Sequence, residues 1–299
     1  MPAPSRRTFA LATAAAAVTA PAFSAPALAQ APKGPWTEEG TVQRGGTKIH
    51  YVGIGSGPPV ILLHKLGGWV ADWRQIAPAL SKTHRVIAID MPGHGDSTVN
   101  GPVPFLQSLQ ESASTIMAAL DDMKIDKFDL IGNSLGGCCS VVMAALWPDR
   151  VKHLVLLSVA LGGVATRESL EAAVEPPGRW AADGSPLVRP FEELQKMFGV
   201  NDPKINEEQN ASRAKAGPWV RASERGVGNA GVVNFLPKIT ANTLLIYGER
   251  GAYHNFEAPG KANIKRVRSL RIPNSGSFTH QENPRETEKV LQGFLAEPV

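Results

Sequence analysis

Ser134 stands between two glycines in the run Gly132-Asn133-Ser134-Leu135-Gly136. Two apolar residues, Leu130 and Ile131, lead into it and the apolar stretch Cys138 to Trp147 follows, so the run reads as strand, sharp turn, helix. That setting suits an attacking hydroxyl. The turn lifts the serine above the sheet, and the glycines let strand and helix cross closely. The Leu135 N–H, at a helix start, then points at whatever the serine attacks. The same residues also fit a glycine-rich turn carrying an idle serine, and the rest of the chain must decide between the two.

The elements around this turn alternate. Two short strands near Thr41 to Gln43 and Thr47 to Val52 form a hairpin through Gly45-Gly46. Pro59 to Leu63 is a continuous apolar run, the pattern of a strand buried on both faces, and Arg85 to Asp90 reads as another buried strand. A helix is expected from Trp73 to Leu80 and a longer one from Leu106 to Met123. Val151 to Val159, Asn242 to Tyr247 and Val267 to Ile272 complete the strands, and Pro284 to Leu295 is a terminal helix. Strands alternating with helices imply an α/β fold with a mostly parallel sheet and ligands at the carboxyl ends of the strands.

The rhythm stops after Ala160. From Leu161 to Pro237 the chain is polar and proline-rich, with weak helical patches at Phe191 to Phe198 and Ile205 to Arg213. That is too long for an unstructured loop and is expected to be a helical lid. The plan is therefore a core of residues 30–160 and 238–299 with a lid at 161–237. Trp180, Met197, Phe198 and Trp219 either line a pocket from above or pack the lid onto the core.

Residues 1–29 read as an export signal. Ser5-Arg6-Arg7-Thr8-Phe9 precedes the apolar run Ala10 to Val18 and the cleavage pattern Ala27-Leu28-Ala29. The paired arginines resemble a twin-arginine signal, which implies a periplasmic or secreted protein starting at Gln30. A retained anchor is the alternative, but the h-region is short for a span, so no stable membrane anchor is expected after cleavage. Loss of Arg6 and Arg7 takes the formal charge from +4 to +2. That near-neutral balance gives no argument for an anionic membrane, and no nucleic-acid partner is expected. The only cysteines, Cys138 and Cys139, are adjacent. Neighbouring Cα atoms lie ~3.8 Å apart, below the disulfide range of ~4.4–6.8 Å, so they read as packing residues. No metal spacing is visible and no cofactor is implied.

Several of these runs together resemble the α/β-hydrolase fold superfamily. Val60 to Gly68 is similar to its oxyanion-loop strand, and Asp90-Met91-Pro92-Gly93-His94-Gly95-Asp96-Ser97 to its next strand-end turn. Gly132 to Gly136 resembles its elbow, and Thr243 to Gly248 and Ile272 to Pro284 its two C-terminal strand turns. The resemblance implies a Ser–acid–His triad in that chain order, with Ser134 as nucleophile and the Leu66 and Leu135 N–H groups as oxyanion donors. The chain departs from it at three places. Gly251 stands at the acid position, Ser277 at the histidine position, and Lys65 where a glycine is usual.

A serine hydroxyl needs a neighbouring base, and Ser277 cannot be one. Three readings follow. In a hydrolase with a rebuilt base, His280 swings toward Ser134, oriented by Glu249 or Glu282; His254 is a weaker candidate, and His64 and His94 flank the pocket. In a lyase or cyclase, Lys65 acts as base with a depressed pKa. In a binding protein, the pocket survives and the chemistry is lost. The ligand implied by the resemblance is a small ester- or lactone-like carbonyl compound.

Overall fold

The computed structural model describes residues 34–299; the expected signal at 1–29 lies outside the described residues. The strands are β1 (Glu38–Arg44), β2 (Thr47–Ile54), β3 (Pro59–Leu63), β4 (Arg85–Ile89), β5 (Thr98–Val99), β6 (Phe128–Asn133), β7 (Val151–Leu157), β8 (Asn242–Gly248) and β9 (Val267–Ile272). They form one sheet in the order β1-β2-β4-β3-β6-β7-β8-β9, with β5 paired to β2. β1, β2 and β5 pair antiparallel, and every pairing from β4 to β9 is parallel.

The apolar runs have the cause expected of them. Ile61, Leu63, Leu130 and Leu156 face one buried cluster, and Val60, Leu62, Ile131 and Val155 face the other. Alternate residues thus enter opposite cores, so a strand covered on both sides needs apolar residues at every position. The first cluster is closed by helices α2 (Leu109–Asp122) and α3 (Leu135–Leu146), and the second by α1 (Ala77–Leu80) and α10 (Pro284–Leu295).

The helix expected from Trp73 is instead a 3-10 turn at Val70–Trp73 followed by the single turn α1. Pro78 has no N–H to close an earlier turn, which breaks the run. The helix expected from Leu106 starts at Leu109, because the Ser108 hydroxyl accepts from the Glu111 N–H and caps it.

Between β7 and β8 lie four helices: α4 (Arg167–Val174), α5 (Phe191–Phe198), α6 (Pro203–Ala216) and α7 (Trp219–Asn229). The sequence reading found α5 and α6 and missed α4 and α7; in α7, Gly226 and Gly228 weaken a helical pattern. Gly226 has a packing reason, since a Cβ there would collide with the Gln107 carbonyl. Helices α8 (Glu257–Asn263) and α9 (Thr279–Glu282) flank β9. No helix among the described residues is long and apolar enough to cross a membrane.

Candidate active site

Ser134 occupies a backbone conformation of φ 49°, ψ −114° between β6 and α3. A non-glycine residue persists there only when its surroundings over-determine it. They do so here. The Ser134 N–H donates to Leu157 O (3.1 Å) and the Gly136 N–H to His64 O (3.0 Å). A Cβ on Gly136 would collide with Leu63 O, and one on Gly132 with Ser140 Oγ and Gly136 O. The flanking glycines are thus required by the close approach of β6, α3 and the end of β3.

The loop after β3 is tied down by His64. Its Nδ1 donates to Lys65 O (2.7 Å) and its Nε2 accepts from the Met91 N–H (3.0 Å), which sets the tautomer. Burial lowers its pKa, so it is a neutral brace and does not face the elbow as a base. Neither the Leu66 nor the Leu135 N–H has an acceptor among the described residues. Both remain available to an incoming oxygen, as an oxyanion hole requires.

Ser134, Leu66 and Lys65 line a cavity of about 100 Å³. Phe198, Phe278 and Tyr253 form an aromatic wall, with ring centroids 5.5 and 6.0 Å from Phe198. Burial pushes the Tyr253 phenol up to about 12, and its Ser134 neighbour acts the other way. It is therefore a neutral hydrogen-bond donor at neutral pH. Arg179, Arg189, Arg213 and Glu224, all from the insertion, supply charge. Of the four apolar candidates in the insertion, Met197 and Phe198 line the cavity. Trp180 packs under Arg179 with its Nε1 donating to Val174 O (2.5 Å), and Trp219 covers Gly93.

The base candidates are placed elsewhere. His280 does not line the cavity; it is fully buried, its ring stacks on Trp73 (4.4 Å between centroids), and neither ring nitrogen has a hydrogen-bond partner. Burial, with a contribution from Lys65, holds its pKa well below the usual value. No hydrogen bond joins it to Ser134 in this structure, which corrects the pairing expected above. Its expected orienters are engaged in holding turns. Glu282 accepts from the N–H groups of Gly276 (2.6 Å) and Asn201 (3.0 Å) and from Arg250 (2.9 Å), while Glu249 accepts from the Asn274 N–H (3.0 Å). His254 Nδ1 donates to Gly251 O (2.8 Å), and His94, whose pKa burial lowers to about 3, lies 5.4 Å from the His64 ring. Lys65 Nζ donates to Asp72 Oδ2 (2.6 Å) and Gln281 Oε1 (3.2 Å), so it is engaged with a carboxylate and an amide.

Gly251 and Ser277 do come together. A Cβ on Gly251 would lie 3.3 Å from Ser277 Oγ, but also 2.8 Å from Phe198 O. The Ser277 N–H donates to Phe198 O (2.8 Å), and a Cβ on Gly199 would lie 2.7 Å from Gly251 N. The end of α5 thus packs into the space between the two turns. Ser277 Oγ is buried without a partner.

Cys138 and Cys139 are buried and free, and burial raises both thiol pKa values, Cys138 to about 12, so neither is a thiolate nucleophile. His50, Asp90 and Asp96 converge, but Asp90 already accepts from His50 (2.7 Å), Val70 N–H (2.8 Å) and Asp96 N–H (2.8 Å). That cluster braces the turn after β4.

The sheet order, the elbow and the free N–H groups define an α/β-hydrolase architecture, and the comparisons agree. A family model described as alpha/beta hydrolase fold matches residues 58–183. The chain has the alpha/beta hydrolase fold. Its curated relatives include hydrolases. The 2-hydroxy-6-oxo-2,4-heptadienoate hydrolase of Pseudomonas putida is 30% identical over 178 residues, 58% of this chain and 61% of that protein. The 2-hydroxy-6-oxononadienedioate/2-hydroxy-6-oxononatrienedioate hydrolase of Escherichia coli K12 is 37% identical over 125 residues, 40% and 42% of the two chains. The chain thus spans about half the length of the curated relatives it matches. The enol-lactonase from Burkholderia xenovorans LB400 is similar in structure, with a TM-score of 0.73 at 21% identity over 86% of this chain and 100% of that one.

Arg179, Arg189, Arg213, Glu224 and Tyr253 were missed from sequence. One signal existed: Ile205, Gln209, Ser212, Arg213 and Ala216 share the buried face of α6, and an arginine on an inward helical stripe asks for a partner.

Proposed function

We propose that this chain is an exported α/β-hydrolase-fold protein that holds a small ester- or lactone-like carbonyl compound over Ser134. The Leu66 and Leu135 N–H groups receive its oxygen, residues 161–237 act as the lid, and no Ser–His–acid triad turns it over. One observation carries this reading: the α5 terminus, Phe198–Gly199, fills the space between Gly251 and Ser277, so the two turns hold neither base nor acid. Without a base a serine hydroxyl is a poor nucleophile, and triad losses reach about 10⁶ in turnover. Export rests on Arg6-Arg7 and Ala27-Leu28-Ala29; N-terminal sequencing of periplasmic material should begin at Gln30, and an intact Met1 there would refute it.

A second reading, a slow serine hydrolase with another base, is favoured by the retained strain at Ser134 and its two free N–H neighbours. One experiment separates them. Under the binding reading a fluorophosphonate probe labels the wild type no faster than Ser134→Ala, and both release p-nitrophenol from its acetate at the same rate. Stoichiometric labelling of Ser134, or turnover far above the Ser134→Ala rate, establishes the hydrolase instead.

A further inference from the structure

The charges around the Ser134 cavity do not balance. Arg179 is matched by Glu224 (2.7 and 2.8 Å), and Lys65 by Asp72 (2.6 Å). Arg189 reaches only Glu193, at 3.6 Å, whose side chain is half exposed, and its guanidinium lies over the Phe198 ring. Arg213 makes no ion pair and no side-chain hydrogen bond among the described residues, although it is only 3% exposed and its Nε is buried without a partner. Burial, then the neighbouring Arg189 and Arg179 charges, push its pKa down to about 9. One turn before it on α6, the Gln209 side chain also lines the cavity, 5% exposed, with its amide oxygen unpartnered. The amide's oxygen and nitrogen exchange places by a simple flip, so it can also present a donor.

A buried, unmatched guanidinium is costly, and proteins that keep one normally give it an anion. The cation is also held in place. The Ser212 hydroxyl donates to Gly67 O (2.6 Å), and the Arg213 stem packs on Gly67, where a Cβ would strike its Cγ. Gly67 belongs to the loop that presents the Leu66 N–H, and its φ of +65° suits glycine. The position of the free cation is thus coupled to the position of an oxyanion donor.

We propose that the ligand carries a carboxylate, received by the Arg213 and Arg189 guanidiniums with help from the Gln209 amide, while its carbonyl lies at Ser134. This rests on the reading that the elbow cavity holds a carbonyl compound. A planar carboxylate matches the donor fork of arginine, and the aromatic wall of Phe198, Phe278 and Tyr253 suits the carbon chain between the two groups better than it suits a hydrated inorganic anion. A cavity of about 100 Å³ restricts the ligand to a short chain.

The test is calorimetric titration of the mature protein with 4-oxopentanoate, its neutral methyl ester, and inorganic phosphate. We expect the acid to bind at least tenfold more tightly than the ester, and phosphate not to compete with it. Arg213→Met should erase the acid preference and raise the melting temperature of the unliganded protein, because an unmatched buried charge is removed; a merely structural arginine would lower it. Arg213→Lys should keep part of the preference. Equal binding of acid and ester overturns the carboxylate assignment and leaves the carbonyl pocket standing, and this arm needs no variant. Binding of neither overturns both. Phosphate displacing the acid, or an acid preference untouched in Arg213→Met and Arg189→Met, also overturns the assignment.

Discussion

By the family resemblance, Gly251, with φ at +90°, and Ser277 stand where an acid and a histidine are expected to serve Ser134. Simply restoring those side chains is not expected to restore chemistry. An aspartate at a left-handed position costs roughly 1–2 kcal/mol. Its Cβ would also lie 2.8 Å from Phe198 O, the carbonyl to which the Ser277 N–H already donates. The variant Gly251→Asp with Ser277→His should therefore melt below the wild type and release p-nitrophenol from its acetate no faster. A folded double variant with strongly increased turnover would show that the end of α5 yields easily.

The end of α5 is positioned as an element, and Glu282 is its anchor. That side chain is 4% exposed and joins Asn201 of the insertion to Gly276 and Arg250 of the core. Glu282→Ala leaves two backbone N–H groups without their acceptor and Arg250 without its charge partner. Each unsatisfied buried group costs about 1–3 kcal/mol, so a loss of about 2–4 kcal/mol is expected, read from urea denaturation. The same variant should free the insertion, so limited proteolysis between residues 163 and 201 should accelerate relative to cleavage in β6, α3 or β7. Unchanged stability and an unchanged cleavage pattern would show that Glu282 does not fasten the insertion to the core.

At the scale of the whole molecule, buried histidines set the response to acid. Burial lowers the pKa values of His64, His94 and His280, so the folded chain refuses protons that the unfolded chain accepts below about pH 6.5. Stability from these groups is present above that pH and is lost as the pH falls. His50 acts in the opposite sense: burial opposes its charge, but Asp90 and Glu39 outweigh it, so its value is raised and its contribution is lost as the pH rises. Among the histidines, three groups against one give a net loss on acidification, partly offset by the partly buried Glu224 and Glu282, whose raised pKa values act as His50 does. The urea midpoint should fall between pH 7 and pH 5, the unfolding free energy losing up to about 1.4 kcal/mol per pH unit for each net proton. His280→Phe should flatten that slope, since it removes one such group while keeping the stack on Trp73. A midpoint that holds or rises on acidification would contradict this.

Order along the chain determined the strands, the elbow and the family resemblance. Residues such as Ile61 and Leu62 must both be apolar when a strand is covered on two faces, and Gly136 must lack a Cβ when a helix crosses Leu63 so closely. These are local demands, written at fixed spacings. That Gly251 and Ser277 stand at the acid and histidine positions is a reading of the motif alone, which keeps its spacing when two positions are substituted. Which side chain stands beside Ser134 was not legible there. His280 and Tyr253 are both near the right turns in sequence, but the turn of α9 sends one under Trp73 while the segment after β8 brings the other to the cavity. The arginines of the insertion lie 45–79 residues beyond the elbow in a stretch with little apolar periodicity. Only the folding of α6 onto Gly67 puts Arg213 over the serine. Long-range charge placement follows from packing that no short spacing records, which is why the tertiary structure alone decided the character of the site.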